Sequence, residues 1–111
     1  MTEIHPGVFV SSTESTDWEA DEEVGGELHV LCTDVGVDAG MSRFVEPPAE
    51  PVRYTPPHRE TVVVLEGSAR VEVTGGPTVQ LAPGVLASFP GGTECTWHIE
   101  PGFKEVWVIG G

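Results

Sequence analysis

Residues Glu60 to Gly67, with the sequence ETVVVLEG, decide the fold of this chain. Three successive β-branched valines, Val62 to Val64, fit a pleated strand well and a helix poorly. Apolar side chains lie on both faces of this strand, which is typical of a strand that is buried on both sides. Glu60 opens the strand on the face of Val62 and Val64. A carboxylate aimed into an interior requires a proton, a partner or a metal, so Glu60 is the first candidate functional residue.

Turn signals divide the rest of the chain into short strands. The chain contains 14 Gly and 10 Pro, and it has no convincing pattern for a long helix. Turns recur at intervals of roughly eight to twelve residues, which is the spacing of a β-sandwich or a barrel. We therefore expect an all-β domain of about eight to ten strands.

Residues 46–51, EPPAEP, form a rigid Pro-rich connector that cannot pair as a central strand, and two strands are predicted between the acidic loop and this connector. The first covers residues 27–32 and places Leu28, Val30 and Cys32 on one face, with His29 on the other. Asp and Gly dominate residues 34–40 and predict a turn, which is followed by a strand over residues 41–45.

The segment that precedes these strands is polar, with Trp18 as its only large apolar side chain. We expect an irregular acidic loop in which Trp18 plugs a barrel end or an interface. Before the loop, the apolar residues Val8 to Val10 predict an edge strand or an arm.

The net charge of −13 is concentrated in the first half of the chain. Twelve of the 18 acidic residues and only one of the five basic residues lie in residues 1–50. Such a surface repels nucleic acid and anionic membranes, so neither is expected as a partner. The dense acidic run from Glu14 to Glu27 is explained by a docking face for a basic partner or, as we favour, by a solubility surface.

Cysteine usage and the N-terminus indicate a cytoplasmic protein. Two cysteines are too few for a disulfide framework. The start of the sequence, MTEIHPG, lacks the apolar core of a signal peptide, and no apolar run reaches the ~18 residues of a membrane span. We expect reduced thiols and one domain over residues 1–111, with an acidic arm and loop in 1–25 and the barrel in 26–111.

The turns also carry a resemblance to the cupin superfamily. Glu60 and Gly67, with six residues between them, resemble the second half of the first cupin motif, and GVLASFPGG at residues 84–92 resembles the start of the second. The tail FPGGTECTWHIEPGFKEVWVI is similar to that of the small ureidoglycine-aminohydrolase-like (EutQ-like) single-domain cupins. The resemblance covers residues 54–109 and implies a double-stranded β-helix, the jelly-roll or RmlC-like cupin barrel.

The chain departs from this family where a metal would bind. A metal-binding cupin supplies two His shortly before the Glu, but the matching residues 53–56 contain none. Its third His matches Cys95, and Glu105 stands where a Lys is common in the last strand. Since only Glu60 remains of four usual ligands, no tightly bound metal and no other cofactor is expected.

The resemblance implies a pocket inside the barrel. Glu60, Cys95 and Trp97 then face the interior, with Tyr54 and His58 at the opening. Glu60 is the candidate catalytic residue, a base or acid whose pKa burial raises, and the pocket favours neutral or cationic ligands. The alternatives stay open: Glu60 as a purely structural hydrogen-bond acceptor, Cys95 as a small buried apolar residue, and His58 as a surface turn residue.

Three functions remain open, and the sequence does not decide whether the protein is an enzyme. The first is a metal-free cupin that binds a small molecule in its cavity. The second is a metal-dependent enzyme of the lyase, isomerase or aminohydrolase type, using the altered ligand set Glu60, Cys95 and His58. The third is a non-catalytic structural or regulatory homodimer. A homodimer is expected in any case, because Val63 and Leu65 are apolar on the outer face of a barrel strand.

Overall fold

The computed structural model describes residues 2–110, and within them every regular element is a strand. The prediction of an all-β fold is therefore confirmed. The twelve strands are β1 (Thr2–His5), β2 (Val8–Val10), β3 (Glu19–Ala20), β4 (Glu27–Asp34), β5 (Val37–Phe44), β6 (Val52–Tyr54), β7 (Arg59–Glu66), β8 (Ala69–Val73), β9 (Thr78–Leu81), β10 (Leu86–Phe89), β11 (Cys95–Ile99) and β12 (Phe103–Gly110). Across residues 2–110, no helix is long and apolar enough to cross a membrane.

Two antiparallel sheets form the barrel, a double-stranded β-helix of the jelly-roll type. One has six strands in the order β10-β7-β12-β5-β4-β3, and the other has four in the order β6-β11-β8-β9. The strands β1 and β2 pair only with each other, as a hairpin arm. Side chains from both sheets build the core, in which Phe103, Leu81, Val64 and Val71 are almost fully buried.

Strand β7 lies between β10 and β12 and is buried on one face only. Glu60, Val62 and Val64 point into the barrel and are buried, as their alternation predicts. Val63 and Leu65 are half-buried on the outer face, so the expectation of a strand buried on both sides is wrong. The reason is that the second sheet covers only the inner face of this one.

The hairpin of β4 and β5 is longer than its Asp and Gly content predicts. Only Val35 and Gly36 lie between the two strands, so most of the turn expected at residues 34–40 is strand. Asp34 closes the turn by accepting a hydrogen bond from the Val35 amide at 2.7 Å, and Gly36 supplies the positive φ of 81°. Pairing with β4 and β12 overrides the local turn tendency of the other residues.

A β-bulge in β4 changes which side chains face inward. Val30 pairs with Gly40, but Cys32 pairs with Ala39, so Leu31 is an extra residue. Thr33 therefore faces the interior with Leu28 and Val30, and the prediction that Cys32 shares their face is wrong.

The polar N-terminal segment covers the outer face of β4 and β5. The buried imidazole of His29 bonds to Ser11 Oγ at 2.7 Å through Nε2 and to the carbonyl oxygen of Asp17 at 2.6 Å through Nδ1. Trp18 lies beside His29, and the Arg43 guanidinium is 4.2 Å from the Trp18 ring centroid. We call these five residues the outer clasp. Trp18 therefore does not plug a barrel end, because the cation–π contact with Arg43 holds it against the outside of the sheet.

Candidate functional site

A cavity of about 340 Å³ lies between the two sheets. It is in the size range of small-molecule sites. Aromatic side chains form much of its wall: Phe44, Tyr54, Trp97, Phe103 and Trp107. Five carboxylic acids also line it: Asp21, Glu23, Asp38, Glu60 and Glu105. Within the described part of the chain, no Lys, Arg or His belongs to this lining, so the ionisable carboxyls of the cavity have no basic partner there.

Glu60 points into this cavity from the start of β7. Its carboxyl is only 6% exposed, and its Oε1 accepts a hydrogen bond of 2.6 Å from the Tyr54 hydroxyl. Burial raises the pKa of Glu60, while the bond from Tyr54 partly lowers this pKa and the charge of Glu23 raises it further. Burial and the neighbouring Glu60 carboxylate likewise raise the pKa of the Tyr54 phenol. The interior of low polarity therefore favours the protonated forms of both Glu60 and Tyr54.

Glu105 is the second buried carboxyl of the cavity. It lies on β12 opposite Val64 of β7 and Ser42 of β5, and it is 7% exposed. Its Oε2 atom is buried and has no hydrogen-bond partner among residues 2–110. Burial, and then the charge of Glu60, raise the pKa of Glu105 well above its ordinary value. A buried polar atom without a partner is costly, so this oxygen requires either a hydrogen-bond donor or a proton of its own.

Sequence reasoning missed Glu105 as a site residue and treated it only as a departure from a family pattern. A signal was available in the alternation of β12, where Phe103, Glu105, Trp107 and Ile109 occupy one face. A carboxyl in the middle of three large apolar side chains is the same kind of feature that singled out Glu60.

Two tryptophans hold the cavity wall in place. Trp97, on β11, packs between Phe89 and Phe103, at ring-centroid distances of 6.0 and 6.4 Å. The Trp107 indole donates a hydrogen bond to Ser42 Oγ at 2.8 Å. Gly40, directly opposite Trp107, makes room for its ring, since a Cβ there would lie 2.9 Å from a ring carbon.

The acidic N-terminal run contributes to the cavity and is not only a surface feature. The Asp21 carboxylate accepts hydrogen bonds from the amides of Glu23 and Val24, at 2.9 and 3.1 Å, which fixes the loop between β3 and β4. Asp21, Glu23 and Val24 all line the cavity, and Glu23 is also exposed to solvent. The loop therefore lies at the opening of the cavity and places two carboxylates there.

Three of the five predicted pocket residues, Tyr54, Glu60 and Trp97, line the cavity, and two do not. His58 is exposed in the bend before β7, which begins only at Arg59. Strand alternation therefore does not reach His58, and the prediction that it shares the pocket with Glu60 is wrong.

Cys95 faces inward on β11 but is enclosed in the apolar core, outside the lining of the cavity. Its thiol donates to the carbonyl oxygen of Thr93 at 3.6 Å. Burial, followed by the charge of Glu60, raises the pKa of Cys95. A thiol in this state is neither a nucleophile nor a ready metal ligand.

The residues present do not fit the metal centre that the fold implies. Among residues 2–110 there is no group of three or more His, Cys, Asp or Glu side chains that could hold a metal ion. The altered set of Glu60, Cys95 and His58 is not assembled, because the last two lie outside the cavity lining.

These observations define a class of protein: a jelly-roll barrel with a ligand-sized interior cavity, as in cupins. The sequence matches the EutQ-like cupin domain over residues 45–106, which is more than half of the chain. The chain belongs to the EutQ-like cupin family, as its motifs indicate. A comparison with functionally curated proteins finds no match.

Solved structures share the barrel. A protein from Salmonella typhimurium that carries the name ethanolamine utilization protein Q is 20% identical, with a TM-score of 0.79 over 95% of this chain and 87% of that one. An RmlC-like cupin from Shewanella frigidimarina is 22% identical, with a TM-score of 0.72 over 90% and 87%. A protein of unknown function from Rhizobium leguminosarum is 23% identical, with a TM-score of 0.64 over 74% and 77%. At these identities the likeness establishes the fold alone.

Proposed function

We propose that this protein binds a small neutral or cationic organic molecule in the barrel cavity, without a tightly bound metal, and that Glu60 exchanges a proton with it. The observation that carries the proposal is the pair of buried carboxyls, Glu60 and Glu105, in a cavity of about 340 Å³ with aromatic walls. Concave apolar sites with a few convergent polar groups are the usual form of small-molecule sites, and perturbed pKa values cluster at functional positions.

The two carboxyls have different environments and therefore different roles. Glu60 is held by the Tyr54 hydroxyl, whose hydrogen bond favours the ionised form. Glu105 has no such donor at Oε2 among the described residues, and the charge of Glu60 favours its neutral form. Glu60 is therefore the base of the pair, and Glu105 is the group that keeps its proton.

The structural neighbour from Salmonella typhimurium is named for ethanolamine utilization, but its likeness to this chain is one of fold. The proposal therefore rests on the cavity and takes no substrate from that protein.

Ligand screening by thermal shift tests the site. A ligand of this cavity raises the melting temperature of the wild type, and both Glu60→Gln and Trp97→Ala reduce that shift strongly. The matched control is Glu100→Gln, which neutralises an exposed carboxylate in the turn before β12. Ligand stabilisation that survives unchanged in both cavity variants would place binding elsewhere and end the proposal.

Elemental analysis of the purified protein tests the metal-free part of the proposal. We expect less than stoichiometric zinc, manganese, iron and nickel, because the cavity does not assemble a ligand set. A stoichiometric metal that is lost in Glu60→Ala would favour the metal-dependent enzyme instead.

We also propose that the protein works as a cytoplasmic homodimer. Leu86 and Val108 are exposed on the outer face of the six-stranded sheet, and apolar patches of that kind are usually covered. A dimer built on the outer face leaves the cavity accessible, so binding and dimerisation are compatible.

A further inference from the structure

The chemical groups that line the cavity restrict the class of ligand more narrowly than the cavity volume does. Its five carboxylic acids are spread from the opening, at Glu23, to the buried Glu105, and no basic side chain of the described lining offsets them. An anionic ligand would be repelled by each of these groups that is ionised. A neutral ligand would leave the acidic field without compensation.

The aromatic walls favour the same kind of ligand. Trp97, Trp107 and Tyr54 line the cavity together, and the face of an indole or phenol ring attracts a cation. Aromatic walls with carboxylates therefore suit an organic cation that has an apolar body. A metal ion would find no ligand set among the described residues, and the apolar wall would not stabilise it.

The orphaned atom of Glu105 specifies the ligand further. Glu105 lines the cavity, and its Oε2 atom is buried and lacks a donor among residues 2–110. A quaternary ammonium group has no N–H to donate to it. A protonated primary or secondary amine has such N–H groups and would complete the hydrogen bonding of this oxygen.

We infer that the ligand is a small protonated amine with an apolar body, whose ammonium group donates to Oε2 of Glu105. This inference rests on the proposed function, since it names the ligand class of the same cavity. The apolar body packs against Trp97 and Trp107, and the carboxylates of Asp21 and Glu23 attract the cation at the opening.

Binding of an ammonium group changes the protonation state of Glu105. The cation favours the ionised carboxylate, so Glu105 releases its proton to solvent as the complex forms. The other titratable groups of this cavity are Glu60 on β7, Tyr54 on β6, Asp38 on β5, and Asp21 and Glu23 in the loop. Of these, Glu60 is the competing source of a proton, because burial raises its pKa as well.

Three probes of matched shape separate the ligand classes: phenethylammonium, 2-phenylethanol and 3-phenylpropionate. Affinities for the wild type, Glu105→Gln and Glu100→Gln are measured by titration calorimetry at neutral pH. We expect the ammonium to bind the wild type about tenfold tighter than the alcohol, as a hydrogen bond to a charged group allows, and the carboxylate to bind weakest. The preference should be strongly reduced in Glu105→Gln and persist unchanged in Glu100→Gln.

Calorimetry in buffers of different ionisation enthalpy measures proton release in the wild type without any variant, and Glu105→Gln then identifies the source of the proton. We expect the wild type to release a proton when phenethylammonium binds. No release, or a release that Glu105→Gln leaves unchanged, overturns the assignment to Glu105.

The remaining outcomes separate the inference from the proposed function. If the alcohol binds as tightly as the ammonium, and Trp97→Ala abolishes its binding, the amine inference is wrong and the cavity still binds small molecules. If none of the three probes binds, or if binding is indifferent to both Trp97→Ala and Glu60→Gln, the inference falls together with the proposed function.

Discussion

At the scale of single residues, the buried cavity carboxyls lower the stability of the fold. Glu105 is buried with an unpartnered oxygen among aromatic side chains, an arrangement that costs folding free energy. Folding raises the pKa of Glu60 and of Glu105 above the ordinary value of 4.5. The stability that such a group contributes is fully present below its unfolded pKa and is lost as the pH rises through its folded pKa.

The first prediction concerns the pH dependence of stability in Glu105→Gln. As the pH rises above 4.5, the unfolding free energy of the variant should rise relative to that of the wild type, because only the wild type loses the stability of a carboxyl whose pKa folding raises. The reason is that glutamine has no proton to hold as the pH rises past 4.5. Denaturant unfolding at a series of pH values measures the difference.

Glu100→Gln is the control for this experiment. Its carboxylate is exposed, so its stability difference from the wild type should stay nearly constant across the same pH range. If the unfolding free energies of the wild type and Glu105→Gln changed in parallel with pH, Glu105 would not be the buried titrating group.

The second prediction isolates the bond between Tyr54 and Glu60. Tyr54→Phe removes the hydroxyl that donates to Glu60 Oε1, and this bond lowers the pKa of Glu60. The pKa of Glu60 should therefore rise in the variant, and the protein should lose roughly 1 kcal/mol at neutral pH. Carboxyl carbon chemical shifts measured by NMR during a pH titration report the pKa directly. An unchanged Glu60 titration would contradict the hydrogen bond.

Sequence reasoning placed Glu60 and Trp97 on inward faces and Tyr54 at the opening, and all three line the cavity, because strand alternation fixes which side chains share a face. It misplaced His58, since alternation holds only within a strand and β7 begins after that residue. Whether a cavity lies next to an inward side chain depends on packing across the two sheets. That is why Cys95, which faces inward, packs in the apolar core and does not line this cavity.

At the scale of elements, strand pairing overrides the local sequence signals at two places. Asp and Gly content predicted a long turn between β4 and β5, but eight residues of β5 pair with β12 and leave a two-residue loop. The bulge at Leu31 is likewise invisible in the sequence, because it is defined by the partner strand. Both features bear on function, since they place Asp38 and Thr33 in the cavity lining.

The N-terminal segment is the element whose role the sequence least revealed. The outer clasp fixes it to the barrel through His29 and Trp18, and Lys104 donates to the carbonyl oxygen of Thr13. The loop at residues 21–24 follows directly and reaches the cavity opening. The clasp on the outside of the sheet therefore positions the carboxylates at the opening of the cavity.

The third prediction follows from this connection. His29→Ala removes two hydrogen bonds and a buried ring, and it should cost roughly 1–3 kcal/mol of unfolding free energy. Limited proteolysis should then cut residues 11–24 faster than in the wild type, because the segment loses its anchor. The control is His5→Ala, which changes an exposed histidine of β1. Equal cleavage rates in the wild type and His29→Ala would show that the segment is held by other contacts.

At the scale of the whole molecule, the acidic residues that give the net charge of −13 fall into two sets. Most of the acidic residues lie on the surface, where they favour solubility. A smaller set, which includes Asp21, Glu23 and Asp38 from the acidic first half, lines the cavity. Composition alone could not separate these sets, because the distinction arises only when the N-terminal half packs on the barrel.

The outer face of the six-stranded sheet gives the last prediction, a homodimer. Leu86, Val63 and Val106 lie in register across β10, β7 and β12, with Leu86 74% exposed and Val108, further along β12, 42% exposed. The outer clasp covers the β4–β5 side of this face and leaves this row uncovered in the single chain. An apolar row on a flat sheet face is stabilised when a second copy covers it.

Light scattering at tens of micromolar protein should therefore give twice the mass of one chain. Leu86→Glu should shift the mass toward that of the monomer, because it places a charge in the proposed interface. Val35→Glu is the matched control, since Val35 is 98% exposed at the tip of the β4–β5 hairpin, away from this row, and the charge there should leave the dimer intact. A monomeric wild type under these conditions would contradict the prediction. A dimer that Leu86→Glu leaves unchanged would move the interface to another surface, with the exposed apolar residues of the β1–β2 arm as the next to test.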